Sequence, residues 1–151
     1  MCESSVNKKN LLKMANLVKR IPKEHFDMNF FRNKKAGVNP AFSFTCGATG
    51  CAIGHCLVLA PNLIYFFNSI NDIDYIGWSK AFTGIKNSLD WAWCFSATTD
   101  SKDTPTRCAK RIKYIALNGK HPNFFAAYRE RDLDYFDYLI ALEKFYKSFK
   151  L

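Results

Sequence analysis

The sequence predicts a mainly α-helical fold, with residues 1–151 forming one compact domain of five to six helices and room for one small β-hairpin. Three observations support this class. The length and the 48% apolar composition fit a single globular domain with its own core. Apolar residues recur at three- and four-residue spacing near both ends of the chain. Prolines, glycines and capping residues stand where such helices would begin and end.

The N-terminal half contains one clear helix and several short elements. Residues 6–21 predict helix one, which Pro22 ends because proline cannot continue the backbone hydrogen-bonding pattern. A turn from Cys46 to Cys51 leads into a second predicted helix over about residues 50–60. Three short segments follow: an apolar run at 63–67 that suits a strand or a helical turn, a helix within 77–84, and a helix capped by Ser88.

Two helices are predicted in the C-terminal half. One begins at Thr104-Pro105, where proline needs no amide partner, and ends at Asn118-Gly119, where glycine accepts a left-handed cap. The last helix covers about residues 129–149, and its acidic start and basic end match the helix dipole. Four cations of the earlier helix lie mostly off its apolar stripe, namely Arg107, Lys110, Arg111 and Lys113.

The net charge of +9 is concentrated in two segments. Residues 1–40 carry nine basic and three acidic residues, and residues 101–120 carry six and one. Residues 41–100 have two basic and four acidic residues, so a slightly acidic centre separates the two segments. This distribution indicates an anionic partner, although solubility alone would also account for it.

The hydropathy pattern leads us to expect a cytoplasmic protein. No apolar run approaches the roughly 20 residues of a membrane span, and the N-terminal residues lack the apolar centre of a signal peptide. We therefore expect no membrane partner, and we expect the six cysteines to be mostly reduced. The sequence does not define an oligomeric state.

Several short motifs occur in a recognisable order. They are Phe26-Asp27-Met28, Cys46 to His55, Trp91 to Ser96, Asp103-Thr104-Pro105 and Ala109 to Ile112. In these motifs the chain resembles small proteins encoded by phages and prophages that share a Cys-Gly-Thr-x-x-Cys-x-x-Gly-Trp/His pattern, with Ala48 here in place of the threonine. The resemblance implies a non-catalytic accessory role inside a bacterial host cell, and no reaction.

The cysteine-rich turn permits three interpretations. Cys46, Cys51, His55 and Cys56 are close enough in sequence for zinc, but a second pair of ligands is missing. A thiolate of Cys46 or Cys51 would make the protein a cysteine-dependent enzyme acting on a nucleotide or a protein. Buried free thiols are the simplest interpretation, so we expect no metal, no cofactor and a buried Cys51. The candidate bases for the enzyme are His25, His55 and His121.

The start of the Thr104 helix is the predicted binding site. Free amides, the Thr104 hydroxyl and Arg107 converge there, and helix N-termini bind phosphates well. The ligand would be a nucleotide, such as an immune signal that the protein sequesters, or an acidic host defence protein that it inhibits. Alternatively, the arginines pair with the acidic start of the last helix. The predicted basic face consists of Arg107, Lys110, Arg111 and Lys113, joined by Lys13, Lys19 and Arg20 of helix one.

The tryptophans adjoin this predicted face. Trp91 and Trp93 differ by two positions, so a helix points them about 200° apart. We expect at least one of them in the core and the other toward a groove or a partner. A nucleic-acid-binding protein remains an alternative, because aromatic rings beside cations can stack on bases.

Overall fold

A computed structural model of the protein describes residues 6–28, 51–67 and 73–151. The predicted mainly helical class is confirmed, but the described residues contain eight α-helices instead of five to six. Two short 3-10 helices, Lys23–His25 and Leu57–Leu59, lie between them. The helices are α1 Lys8–Val18, α2 Ala52–Cys56, α3 Pro61–Ile64, α4 Tyr75–Thr83, α5 Ser88–Phe95, α6 Pro105–Asn118, α7 Asn123–Arg129 and α8 Tyr135–Ser148.

The centre of the fold is the pair formed by α1 and α6. These two helices pack along each other, with α5 beside α6 and with α2 and α4 beside α1. Their facing residues are apolar and fully buried, among them Leu11 and Met14 of α1 and Ile112 and Ile115 of α6. Helices α7 and α8 pack on each other, and aromatic contacts between α8 and α5 join them to this centre. The arrangement leaves the outer faces of α1 and α8 toward solvent.

Local capping chemistry explains several helix boundaries. Thr104 Oγ1 accepts a hydrogen bond from the Arg107 amide at 3.1 Å, and Gly119 adopts the left-handed conformation with a φ of 79°, as predicted for α6. At α5 the prediction is one residue off, because Asn87 supplies the cap in place of Ser88. The Asn87 Oδ1 atom accepts from the amides of Leu89 and Asp90.

The predicted last helix over 129–149 is wrong at its start, because α8 begins only at Tyr135 and the residues up to Arg129 belong to a separate helix, α7, that the sequence did not predict. α7 ends at Arg129, and the Arg131 backbone has a φ of 66°, which no α-helix can accommodate. Asp134 then starts α8, since its Oδ1 accepts a hydrogen bond from the Asp137 amide at 2.8 Å. Residues 129–134 contain neither proline nor glycine, so the sequence gives no turn signal at this point.

Other expectations have mixed outcomes. The apolar run at 63–67 forms a helical turn and not a strand, since its first two residues end the short helix α3, Pro61–Ile64, and the rest form the turn after it. Within the described ranges, extended pairing is confined to isolated bridge residues at positions 26 and 73, so they contain no hairpin. The turn that begins at Cys46 lies outside the described residues. None of the helices in the part of the chain that the structure describes has the length and hydrophobicity to cross a membrane.

Candidate functional site

The start of α6, where the sequence predicts an anion site, is occupied by internal contacts. The Thr104 hydroxyl caps the helix, and the Thr104 amide donates to Asp103 Oδ1 at 2.9 Å. Beside this end lies a cavity of about 380 Å³ whose lining includes the carboxyl groups of Asp27, Asp100 and Asp103. Because the Thr104 hydroxyl and amide are already hydrogen-bonded and the neighbouring cavity is lined by acidic residues, the surroundings do not favour the anion site that the helix terminus alone suggests.

Arg107 is held by two acidic residues and a ring. Its Nε donates to Asp100 Oδ2 at 2.7 Å, and its Nη2 donates to Glu143 Oε1 at 2.8 Å. The guanidinium also lies 4.1 Å from the centre of the Tyr146 ring. Burial alone would raise the pKa of Asp100, but hydrogen bonds from Arg107, the Lys102 amide and Tyr146 hold it below its ordinary value. Asp100 therefore carries the charge that neutralises Arg107.

Arg111 is completely buried, so the prediction that it lies off the apolar stripe and is exposed is wrong. Its guanidinium forms a two-pronged ion pair with Asp103, with distances of 2.9 Å from Nη1 and 2.6 Å from Nη2. Nη1 also donates to Tyr146 Oη at 2.8 Å, and Nε donates to the Trp93 carbonyl oxygen at 2.8 Å. These bonds satisfy a charge that would be too costly to bury alone.

The lysines of the predicted α6 face also have internal partners. Lys110 Nζ donates to the Tyr146 carbonyl oxygen at 2.6 Å, near the C-terminal end of α8 where the helix dipole favours a cation. Lys113 Nζ lies 3.5 Å from the carbonyl oxygen of Lys150. The α6 cations thus fasten α8 to the fold. The binding role of Thr104, Arg107, Lys110 and Arg111 stays a prediction, and it competes with these contacts.

The two tryptophans have different environments. Trp93 is fully buried, and its Nε1 donates to the Arg111 carbonyl oxygen at 3.2 Å. Trp91 is partly buried, with its Nε1 donating to Ser79 Oγ at 2.8 Å and its ring tilted against Phe95. The expectation of one core tryptophan is confirmed for Trp93. Because the Trp93 ring is inaccessible, it has no surface on which a base could stack.

The described cysteines are buried thiols. Cys51, Cys56, Cys94 and Cys108 all lie in the core, which confirms the predicted burial of Cys51. Burial raises the pKa of Cys51 to about 11, and it raises the pKa of Cys56 well above its ordinary value. A thiol with a raised pKa is a poor nucleophile at neutral pH. Cys46 lies outside the described residues.

The thiol environment leads to a direct test. In the folded protein, we expect the four described thiols to stay unmodified by iodoacetamide at pH 8, because both access and thiolate formation are suppressed. Peptide mapping by mass spectrometry measures this, and a sample in denaturant serves as the fully labelled control. Rapid labelling of Cys51 in the native sample would support the cysteine-dependent enzyme.

Two of the three histidines proposed as bases, His55 and His121, have ring nitrogens within hydrogen-bond distance of other groups. His55 Nε2 lies 2.7 Å from the His25 carbonyl oxygen. His121 Nδ1 lies 2.5 Å from Asp90 Oδ1, which also accepts from the His121 amide and so ties the start of α7 to α5. Within residues 6–28, 51–67 and 73–151, no group of three His, Cys, Asp or Glu side chains is arranged to hold a metal ion.

The basic residues on the outer face of α1 differ from the cations of α6 in their exposure and pairing. Lys9, Lys13 and Asn16, with Arg20 in the turn after the helix, follow one another at spacings of four, three and four, so they form one line on the helix surface. We call this line the basic stripe. All four residues are exposed, and none of its three cations forms an ion pair with any other described residue.

An apolar groove runs beside the basic stripe. It has a volume of about 430 Å³, and its apolar lining consists of Leu17, Ile21 and Leu59. Lys13, Asn16 and Arg20 form the polar part of the same groove. The sequence predicted Lys13 and Arg20 as part of a basic face but missed the groove, because Leu59 is far from α1 in sequence and reaches it through the fold.

Comparison with protein-family models, curated proteins and solved structures finds no match for this chain. The fold and the surface describe a small helical protein whose α6 cations are paired internally and whose α1 cations are exposed.

Proposed function

We propose that this chain is a non-catalytic accessory protein of the phage-encoded kind that it resembles, and that it binds an acidic host protein through the basic stripe of α1. The observation that carries the proposal is that Lys9, Lys13 and Arg20 are exposed and unpaired within the described residues. Exposed, unpaired cations keep their attraction for an anionic surface, whereas the paired cations of α6 do not.

The charge at the start of α1 supports a binding role. Lys8 and Lys9 occupy the first turn, which contains no acidic residue. The helix dipole makes this end positive already, so two lysines there repel the dipole and lower the stability of the helix. The same placement strengthens the positive potential that a partner meets. A cost in stability at an exposed surface is characteristic of residues that serve binding.

The groove favours a protein over a nucleotide as the partner. Pockets for small molecules usually enclose most of the ligand, whereas this groove lies open on the surface beside α1. None of the described residues that line it is aromatic, so they offer a base no ring to stack on. Leucine and isoleucine side chains beside two cations suit an amphipathic segment that presents both acidic and apolar side chains. Inhibition of a host defence protein is the biological role that we propose for this contact.

The experiment measures binding of a fluorescent amphipathic helical peptide made of glutamate, alanine and leucine. A scrambled peptide of the same composition, a DNA duplex and a nucleoside triphosphate serve as comparisons. We expect the amphipathic peptide to bind best, and its affinity to fall with added salt because the attraction comes from exposed charges. Tighter binding of the duplex would instead favour the nucleic-acid-binding protein.

Charge reversal locates the surface. Lys13→Glu combined with Arg20→Glu should weaken peptide binding by about tenfold or more, since two attractions become repulsions. The matched control, Lys80→Glu combined with Lys120→Glu, changes the net charge equally at exposed positions outside the basic stripe, and it should bind like the parent. If the α1 variant also binds like the parent, the proposal fails.

A further inference from the structure

The outer face of α8 carries a second surface that the proposed function does not use. Phe136 is 71% exposed and Ile140 is 44% exposed, and they lie one helical turn apart. With Leu139 they line a groove of about 340 Å³, whose other lining residues are Glu143, Lys144 and Lys147. A phenylalanine and an isoleucine side by side in solvent form a patch, whereas single exposed apolar residues need no explanation.

Charges of opposite sign flank this patch along the chain. Residues 130–137 contain four acidic residues and one arginine, a balance of −3. Residues 143–150 contain three lysines and one glutamate, a balance of +2, and that glutamate, Glu143, is already paired with Arg107. Asp132, Asp137, Lys144 and Lys147 are exposed, and none of them forms an ion pair with another described residue.

The charges along α8 are complementary to those of a second α8 that runs in the opposite direction. If two copies of α8 lie antiparallel, the acidic start of each helix meets the basic end of the other, and both ends of the pair attract. A parallel pair would place acidic against acidic and basic against basic. A two-fold symmetric contact has this reciprocal property by necessity, because the same patch serves on both subunits.

We propose that two copies of this chain form an antiparallel dimer through α8, with Phe136 of each copy packed against Ile140 of the other. In that register, the turn before α8 of one copy, which contains Asp132, lies at the end of the other α8 that carries Lys144, twice per dimer. The patch supplies the apolar centre of the contact, and the flanking charges set the orientation and the register. This inference concerns a surface distinct from the basic stripe and does not depend on the proposed function.

The size of the contact determines how strong the dimer can be. A helix of 14 residues is about 21 Å long, so two such helices bury less surface than a standard protein interface. We therefore expect a reversible dimer that depends on concentration. In sedimentation or light-scattering measurements, the mass should rise from 17.4 kDa toward twice that value as the concentration increases to about 1 mM. A constant monomer mass over this range would overturn the proposal.

Apolar and charged variants test the two parts of the contact. Phe136→Lys combined with Ile140→Lys should keep the protein monomeric at every concentration, and circular dichroism checks that it remains folded. Since both side chains are exposed, the fold does not need them. If this variant self-associates like the parent, another surface forms the dimer and the proposal is wrong.

The most specific test uses two charge reversals. Asp132→Lys alone and Lys144→Asp alone should each weaken self-association, because each places like charges together twice. An equimolar mixture of the two single variants should restore association, since every facing pair in the mixed dimer is again of opposite sign. Failure of the mixture to associate, when each variant is folded, would contradict the antiparallel register.

Discussion

Replacing Arg111 by methionine should lower the free energy of unfolding by about 3–5 kcal/mol, the cost of breaking a buried ion pair on one side. The Asp103 carboxylate, whose side chain is only 6% exposed, would lose the partner that compensates its burial. The Tyr146 hydroxyl and the Trp93 carbonyl oxygen would each lose a donor as well. Chemical denaturation followed by circular dichroism measures the change.

Three companion variants sharpen this prediction. Arg111→Lys should recover little stability, because a single ammonium cannot reproduce the two-pronged contact with Asp103. Lys113→Met on the same helix is the matched control and should cost less than about 1 kcal/mol. Arg111→Met combined with Asp103→Asn should be less destabilised than the two single effects predict when added, because the two groups interact directly. A loss below about 1 kcal/mol for Arg111→Met would show that the arginine is not structural.

Replacing Trp93 by alanine should also cost about 3–5 kcal/mol, the usual range for a large buried aromatic side chain. The indole is fully buried, and its ring centre lies 5.1 Å from that of Phe145 and 5.3 Å from that of Phe125. These contacts join α5 to α7 and α8, so the loss would loosen three helices at once. Thermal and chemical unfolding both report it.

Trp91→Ala is the matched comparison, two positions along the same helix. Its side chain is partly exposed and makes one hydrogen bond, to Ser79, so we expect a clearly smaller loss than for Trp93. Equal losses for the two variants would contradict the description of Trp93 as the core residue of α5.

The sequence predicted those helix boundaries that are set by interactions between neighbouring residues. The boundaries of α6 follow from Thr104, Pro105 and Gly119, each of which acts on the backbone within a few residues of itself. The turn between α7 and α8 was missed because Arg131 is not a residue that usually marks a left-handed conformation.

The site was harder to predict because some of its partners, Tyr146 and Glu143, are distant in sequence. A helical wheel places Arg111 beside the apolar stripe of α6, and burial there becomes possible only because Asp103 and Tyr146 meet its guanidinium. The same holds for Arg107, whose second partner, Glu143, belongs to α8. By contrast, the exposed cations of α1 could be predicted from helical spacing alone, because their positions do not depend on a partner from another helix.

The cations of α6 serve the fold, and we propose that those of α1 serve binding. Amide NMR spectra recorded during titration with the amphipathic acidic peptide distinguish these roles, because they locate the contact in the unmodified protein. We expect the largest shift changes on Lys9, Lys13, Arg20 and the neighbouring Leu59. Shift changes centred instead on Thr104, Arg107 and Trp91 would contradict it and would restore the start of α6 as the binding site.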